Sequence, residues 1–215
     1  FTGDLTRVTP PMRERHSEGG GIRIYEEASE RNADGRHLMP TGGFLDDTYN
    51  EGTCWIYGRR WMGWSRHLLG GSGGYGQLLV FNDEAVFGVH VMTKSIRVRR
   101  GFTPGEDDRL FAREHGASKD KWSKSIPLKI RSMVLAGEKL FVAGPPDILP
   151  EDNPLAALKG KKGCRLLVFS SEKGKKLADY KLESMPVFDG MIAADNKLYL
   201  TMKNGRIVCL GGRKE

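Results

Sequence analysis

Ser132-Met133-Val134-Leu135-Ala136-Gly137-Glu138-Lys139-Leu140-Phe141-Val142-Ala143 is the stretch that decides the fold. An apolar run, a two-residue polar turn and a second apolar run read as a tight β-hairpin. The pattern returns as Gly190-Met191-Ile192-Ala193-Ala194-Asp195-Asn196-Lys197-Leu198-Tyr199-Leu200-Thr201. A weaker copy stands upstream as Leu78-Leu79-Val80-Phe81-Asn82-Asp83-Glu84-Ala85-Val86-Phe87-Gly88-Val89. The copies start roughly 55 residues apart, a period that belongs to propellers or solenoids.

Working outward from the middle copy, Gly144-Pro145-Pro146-Asp147 stops the second strand, because proline cannot donate to a sheet ladder. Leu155 to Leu158 reads as a short helical turn in a surface insertion that ends at the Lys159–Gly163 run. Cys164-Arg165-Leu166-Leu167-Val168-Phe169 and Lys176-Leu177-Ala178-Asp179-Tyr180 then form a second hairpin around Ser170–Gly174. Four consecutive antiparallel strands in about 50 residues make one propeller blade. The third copy adds Arg206 to Leu210 after an Asn204-Gly205 turn, giving three strands before Glu215.

The fold class expected is therefore all-β, with propeller blades of four antiparallel strands. Residues 1–40 form an irregular N-terminal segment punctuated by Thr9-Pro10-Pro11 and Gly19-Gly20-Gly21, with one strand candidate at Ile22-Arg23-Ile24-Tyr25. Residues 41–215 carry the blades, with insertions at about 92–125 and 145–163. Within the first insertion, Asp107 to His115 fits either one or two helical turns or an edge strand over Arg109–Ala112, and the strand is favoured.

Composition agrees. The 28 glycines among 215 residues suit many turns, and an apolar fraction of 39% can supply a core. Lys and Arg exceed Asp and Glu by 34 to 27, which attracts anionic partners in general. Nucleic acid is not the expected partner, since aromatics are not interleaved with the basic runs as stacking platforms. No run reaches the ~18 apolar residues of a membrane span. Cys54, Cys164 and Cys209 form no CxxC, and an odd, widely spaced set is no disulfide framework. Cys164 and Cys209 are expected as buried free thiols, with a single disulfide among the three left open. The chain begins at Phe1 rather than Met and is read as a processed product or a piece of something longer.

Met133–Asp147, Gly174-Lys175-Lys176-Leu177-Ala178-Asp179-Tyr180 and Pro186-Val187-Phe188-Asp189-Gly190-Met191-Ile192-Ala193-Ala194 together resemble the bacterial PQQ-binding-like (quinoprotein dehydrogenase-like, BamB-like) β-propeller repeat family. Gly43-Phe44-Leu45-Asp46-Asp47 and Trp55-Ile56-Tyr57-Gly58 extend the resemblance to roughly residues 40–212, with its more specific part over 130–212. It implies a propeller of seven or eight blades in the complete protein and a periplasmic or otherwise extracytoplasmic, cell-envelope location. It also implies that other blades, from a longer chain or a second chain, complete the ring. Many members carry the repeat without cofactor. No position here matches the metal-holding carboxylate and amide side chains or the aspartate base of a working quinoprotein. Leu177-Ala178 stands where an alcohol-dehydrogenase repeat would end in Leu-Trp.

Trp55, Tyr57, Trp61 and Trp64, with His67 close by, are the candidate ligand-binding residues, because flat rings stack on sugars or on a quinone. Core plugging is the competing reading of the same rings. Asp46 and Asp47 are the candidate ligands for a hard cation such as Ca²⁺, against the simpler reading of an Asp-rich turn. His90 ends a strand and could face a channel. No GxSxG elbow, HExxH or complete phosphate loop occurs. The function expected is a non-catalytic binding or scaffold propeller engaging protein or polysaccharide, with no cofactor. The alternatives are a PQQ- and Ca²⁺-dependent oxidoreductase fragment and a carbohydrate-active enzyme.

Overall fold

The computed structural model describes residues 37–40, 55–58, 74–76, 78–90, 105 and 108–212. Every regular element among them is a strand. The chain is all-β and built of antiparallel sheets of three or four strands among the described residues, the four-stranded form being that of a propeller blade. It divides into two compact units, Phe1–Gly101 with Arg113–Lys121, and Phe102–Ala112 with Trp122–Glu215.

In the first unit, β1 (His37–Pro40), β2 (Trp55–Gly58) and β3 (Gly74–Gly76) form a three-stranded antiparallel sheet. β4 (Leu79–Phe81) and β5 (Ala85–His90) form the hairpin expected from the upstream copy. Its turn is held by Asn82, whose Oδ1 accepts the amides of Glu84 and Ala85 at 3.1 and 2.9 Å. A short amide side chain that caps its own turn is the usual reason Asn occupies this place. The Ile22–Tyr25 strand candidate lies outside the described residues.

In the second unit, β6 (Asp108–Glu114, its last two residues belonging to the first unit) pairs through Asp108–Ala112 with β7 (Trp122–Ile126). The favoured strand reading over Arg109–Ala112 holds, and β6 and most of β7 fall within the stretch 92–125. β8 (Ser132–Ala136), β9 (Lys139–Gly144), β10 (Cys164–Ser170) and β11 (Lys176–Leu182) form one meander in the order β11-β10-β9-β8. This is the four-stranded blade expected from the middle copy. The following sheet has three strands, β12 (Pro186–Ala194), β13 (Lys197–Met202) and β14 (Ile207–Gly211). Asp195 and Asn196 turn between β12 and β13 with φ of 49° and 57°, and two positive values in a two-residue loop match the right-handed twist of the flanking strands. The segment 153–161 is a chain of turns with one helical bond, from the Lys159 amide to the Leu155 carbonyl at 3.0 Å.

The core between these two sheets follows from strand alternation. Ala143 and Leu166 on β9 and β10 pack with Met191, Leu198, Leu200 and Met202 on β12 and β13. Each of these larger side chains contributes roughly 1.5–3 kcal/mol on full burial. In this unit two glycines are demanded by close approach. A side chain at Gly144 would overlap the Lys129 carbonyl, and a Cβ at Gly174 would lie 2.7 Å from the Trp122 ring, where φ is also +61°. Trp122 is further fixed by its indole N–H, which donates to the Ser171 carbonyl at 2.8 Å.

The expectation for Cys209 is corrected. Cys164 is a buried free thiol as expected, but Cys209 is exposed, because β14 is an outer strand and position 209 points away from the core.

Candidate functional site

Of the aromatic candidates, Trp55 and Tyr57 are described, both half-buried on β2. Trp61, Trp64 and His67, and the Asp46 and Asp47 pair, lie outside the described residues. Tyr57 stacks face to face on Phe81, with ring centroids 3.9 Å apart and planes 15° from parallel. The His115 ring lies 5.3 Å from Tyr57, tilted by 51°. His115 is held by the β4–β5 turn: its Nε2 donates to the Asn82 carbonyl at 2.7 Å, and its amide donates to the Glu84 carbonyl at 3.0 Å. The arrangement presents a fixed aromatic group with an imidazole on its flank. Such a group can stack on a flat or apolar ligand face.

His90 ends β5 and pairs with Asp120 at 2.9 Å, while Arg113 reaches the other oxygen of the same carboxylate at 2.7 Å. Burial opposes the Asp120 charge, but the hydrogen bonds from His90 and Arg113 outweigh it and hold the carboxyl below its ordinary 3.8. A carboxylate shared with a buried arginine acts as an ion-pair hub that orients His90.

The second unit holds a different cluster. The Lys129 ammonium lies 2.8 Å from Asp108 and 3.2 Å from Asp147. The Asp108 carboxylate also accepts the Ile130 amide at 2.7 Å, and Asp147 accepts the Gly105 amide at 2.7 Å through Oδ1. Asp147 Oδ2 faces the ammonium without hydrogen-bond geometry. Burial pushes the Asp108 carboxyl above 3.8 despite Lys129, and the two carboxylates overcome burial to raise Lys129 above 10.5. Backbone bonds surround the cluster, with the Lys129 amide donating to Pro145 at 2.9 Å and the Asp147 amide to Pro127 at 3.1 Å. The network joins three chain segments. Sequence reading passed over it because Asp108, Lys129 and Asp147 carry no local spacing signal.

Among the described residues no three His, Cys, Asp or Glu side chains gather as a metal-ligand set. The one irregularity in β12 is a bulge between Pro186 and Met191, where Asp189 takes φ of 53° and its amide donates to the Arg131 carbonyl at 2.8 Å. Desolvation pushes the Asp189 carboxyl above 3.8.

Between the faces of β8–β11 and β12–β14 runs a groove of about 1150 Å³. Phe141, Leu177, Tyr180, Leu182, Val208 and Leu210 contribute its apolar lining. Lys139, Lys181 and Lys197 border it, with Glu183 and Asp195 as the acidic neighbours.

No family profile matches the chain, and no curated protein matches it. Solved structures similar at low identity include the following two. The computationally designed Ika4 protein matches over 62% of this chain and 63% of its own, with 12% identity and a TM-score of 0.41. BamB from Moraxella catarrhalis matches over 80% of this chain and 49% of its own, with 13% identity and a TM-score of 0.41. The chain thus spans less than two thirds of the length of either. No helix among the described residues is long and apolar enough to cross a membrane.

Proposed function

We propose that this chain is a binding or scaffold module of the PQQ-like, BamB-like propeller kind, acting in the cell envelope and engaging protein or polysaccharide without chemistry of its own. The observation that carries the reading is the open apolar flank of the last sheet, where Ile192 is 62% and Ile207 70% exposed. Large aliphatic side chains left open on the two outer strands of one sheet mark an interaction surface. The flank supports completion by further blades, from a longer chain or a second chain, in a ring of seven or eight. The Tyr57–Phe81 stack supports a ligand face on the aromatic segment that Trp55 shares; Trp61, Trp64 and His67 as further ligand residues, and Asp46 and Asp47 for a Ca²⁺ ion, are proposed from the sequence alone.

Glycan-array binding and cross-linking mass spectrometry in envelope extracts test the two partner classes together. A glycan signal lost in Trp55→Ala and Trp61→Ala supports sugar recognition through the aromatic segment. Specific cross-links without a glycan signal support the protein scaffold. PQQ binding with Ca²⁺ and dye reduction, or hydrolysis of a bound glycan, would overturn the non-catalytic reading.

A further inference from the structure

Lys129, Asp108 and Asp147 bring an amine and two carboxyl groups together with little access to water. The segments carrying Lys129 and Asp147 run side by side in an antiparallel clamp. The Lys129 amide donates to Pro145, the Asp147 amide donates to Pro127, and Leu128 bridges to Pro146. The amine nitrogen is thereby held 2.8 Å from Asp108 Oδ1 and 3.2 Å from Asp147 Oδ2. Fixing an amine against a carboxyl raises its effective concentration far above that of free groups.

The two carboxylates stand differently. Asp147 has 0% of its side chain exposed, against 14% for Asp108. Asp147 Oδ1 accepts the Gly105 amide at 2.7 Å, while Oδ2 accepts no hydrogen bond among the described residues. A backbone N–H on one oxygen stabilises the negative charge that develops there when the carbon is attacked, and leaves the other oxygen to depart. Asp108 is placed to move a proton. Its Oδ1 accepts from Lys129 Nζ at 2.8 Å, and its Oδ2 is steadied by the Ile130 amide at 2.7 Å. Burial pushes its carboxyl above 3.8, in the direction that favours taking that proton.

We propose that Lys129 and Asp147 join as an intramolecular amide, with Asp108 as the proton carrier. Lys129 Nζ passes a proton to Asp108 Oδ1 and, as the free amine, attacks Asp147 Cγ. Asp147 Oδ1 takes the negative charge beside the Gly105 N–H. The bond from Cγ to Oδ2 then breaks, and Oδ2 leaves as water with protons delivered through Asp108. One ammonium and one carboxylate become one neutral amide and one water, so the step balances without oxidant or cofactor. Burial favours the uncharged product over the ion pair, and limited water disfavours hydrolysis. The bond staples the connection before β8 to the segment after β9. It needs no ligand or partner, so it stands apart from the binding-module reading.

Intact mass spectrometry of the full chain under denaturing conditions tests this. The expected mass is one water below that of the sequence. Tryptic digestion and fragmentation should then yield a branched peptide joined between Lys129 and Asp147. Lys129→Arg, Asp147→Ala and Asp108→Asn should each show their full sequence mass. The parent's mass and branch point decide by themselves, so a variant that fails to fold does not rescue the proposal. A parent at full sequence mass overturns it. So does a water loss that persists in Lys129→Arg, which marks a cyclic imide elsewhere, or a branch that maps to Asp108. Water loss retained in Asp108→Asn overturns the role given to that carboxyl.

Discussion

Lys129 sits 2.8 Å from Asp108, and both side chains are largely shielded from water. A paired buried charge is tolerated, whereas an unpaired one is not. Asp108→Ala leaves the ammonium with Asp147 alone and removes the acceptor for the Ile130 amide. Unfolding free energy should fall by about 3 kcal/mol, the range for breaking a buried pair from one side. Urea titration measures this, and a loss no greater than that of an exposed pair would refute it.

Gly174 meets Trp122 more closely than any side chain can accept. Gly174→Ala should destabilise by about 1–3 kcal/mol, the usual cost of overpacking. A positive φ adds strain to the clash. A changed Trp122 emission should accompany the loss, since the ring must shift from its bond to Ser171.

Acid stability carries two opposed contributions. Asp120 is held below its ordinary 3.8 in the folded chain, so its stabilisation is full above that value and fades as pH falls toward the folded one. Asp120→Asn should flatten the acid limb of a stability profile below about pH 4. Asp189 is raised, so its contribution is fullest below 3.8 and disappears as pH rises through its folded value. Asp189→Asn should raise stability at neutral pH relative to pH 3, and thermal melts at both values check the sign.

The two described thiols should separate cleanly in labelling. Cys164 is 3% exposed, and burial pushes its thiol above the ordinary 9.0 against the pull of Arg131. Iodoacetamide should modify Cys209 in the native chain and Cys164 only after unfolding, as peptide mass spectrometry would show.

The strand-turn-strand copies were readable because alternation and turn residues are local. Gly137-Glu138, Asp195-Asn196 and Asn204-Gly205 each mark a turn that the structure contains. The burial of Cys209 was misjudged because an apolar run does not reveal whether its strand is an outer one. The Lys129 network was illegible for a related reason: its members meet only after the strands have paired. Tyr57 drew attention as an aromatic in sequence, but its stack on Phe81 and its tilted contact with His115 depend on bringing distant segments together. Polar residues gathered across long separations leave no periodic trace, and that is the part of the site that sequence withheld.

The backbone of Arg131 serves two sheets at once. Its amide donates to the Ala143 carbonyl of β9 at 2.8 Å, and its carbonyl accepts the Asp189 amide of β12 at 2.8 Å. The last three strands cannot peel from the preceding blade without breaking a main-chain bond. The Asp189 amide is therefore a built-in clock for that separation. Its hydrogen-exchange rate should follow the opening of the two sheets as one cooperative unit, and not the fraying of β14.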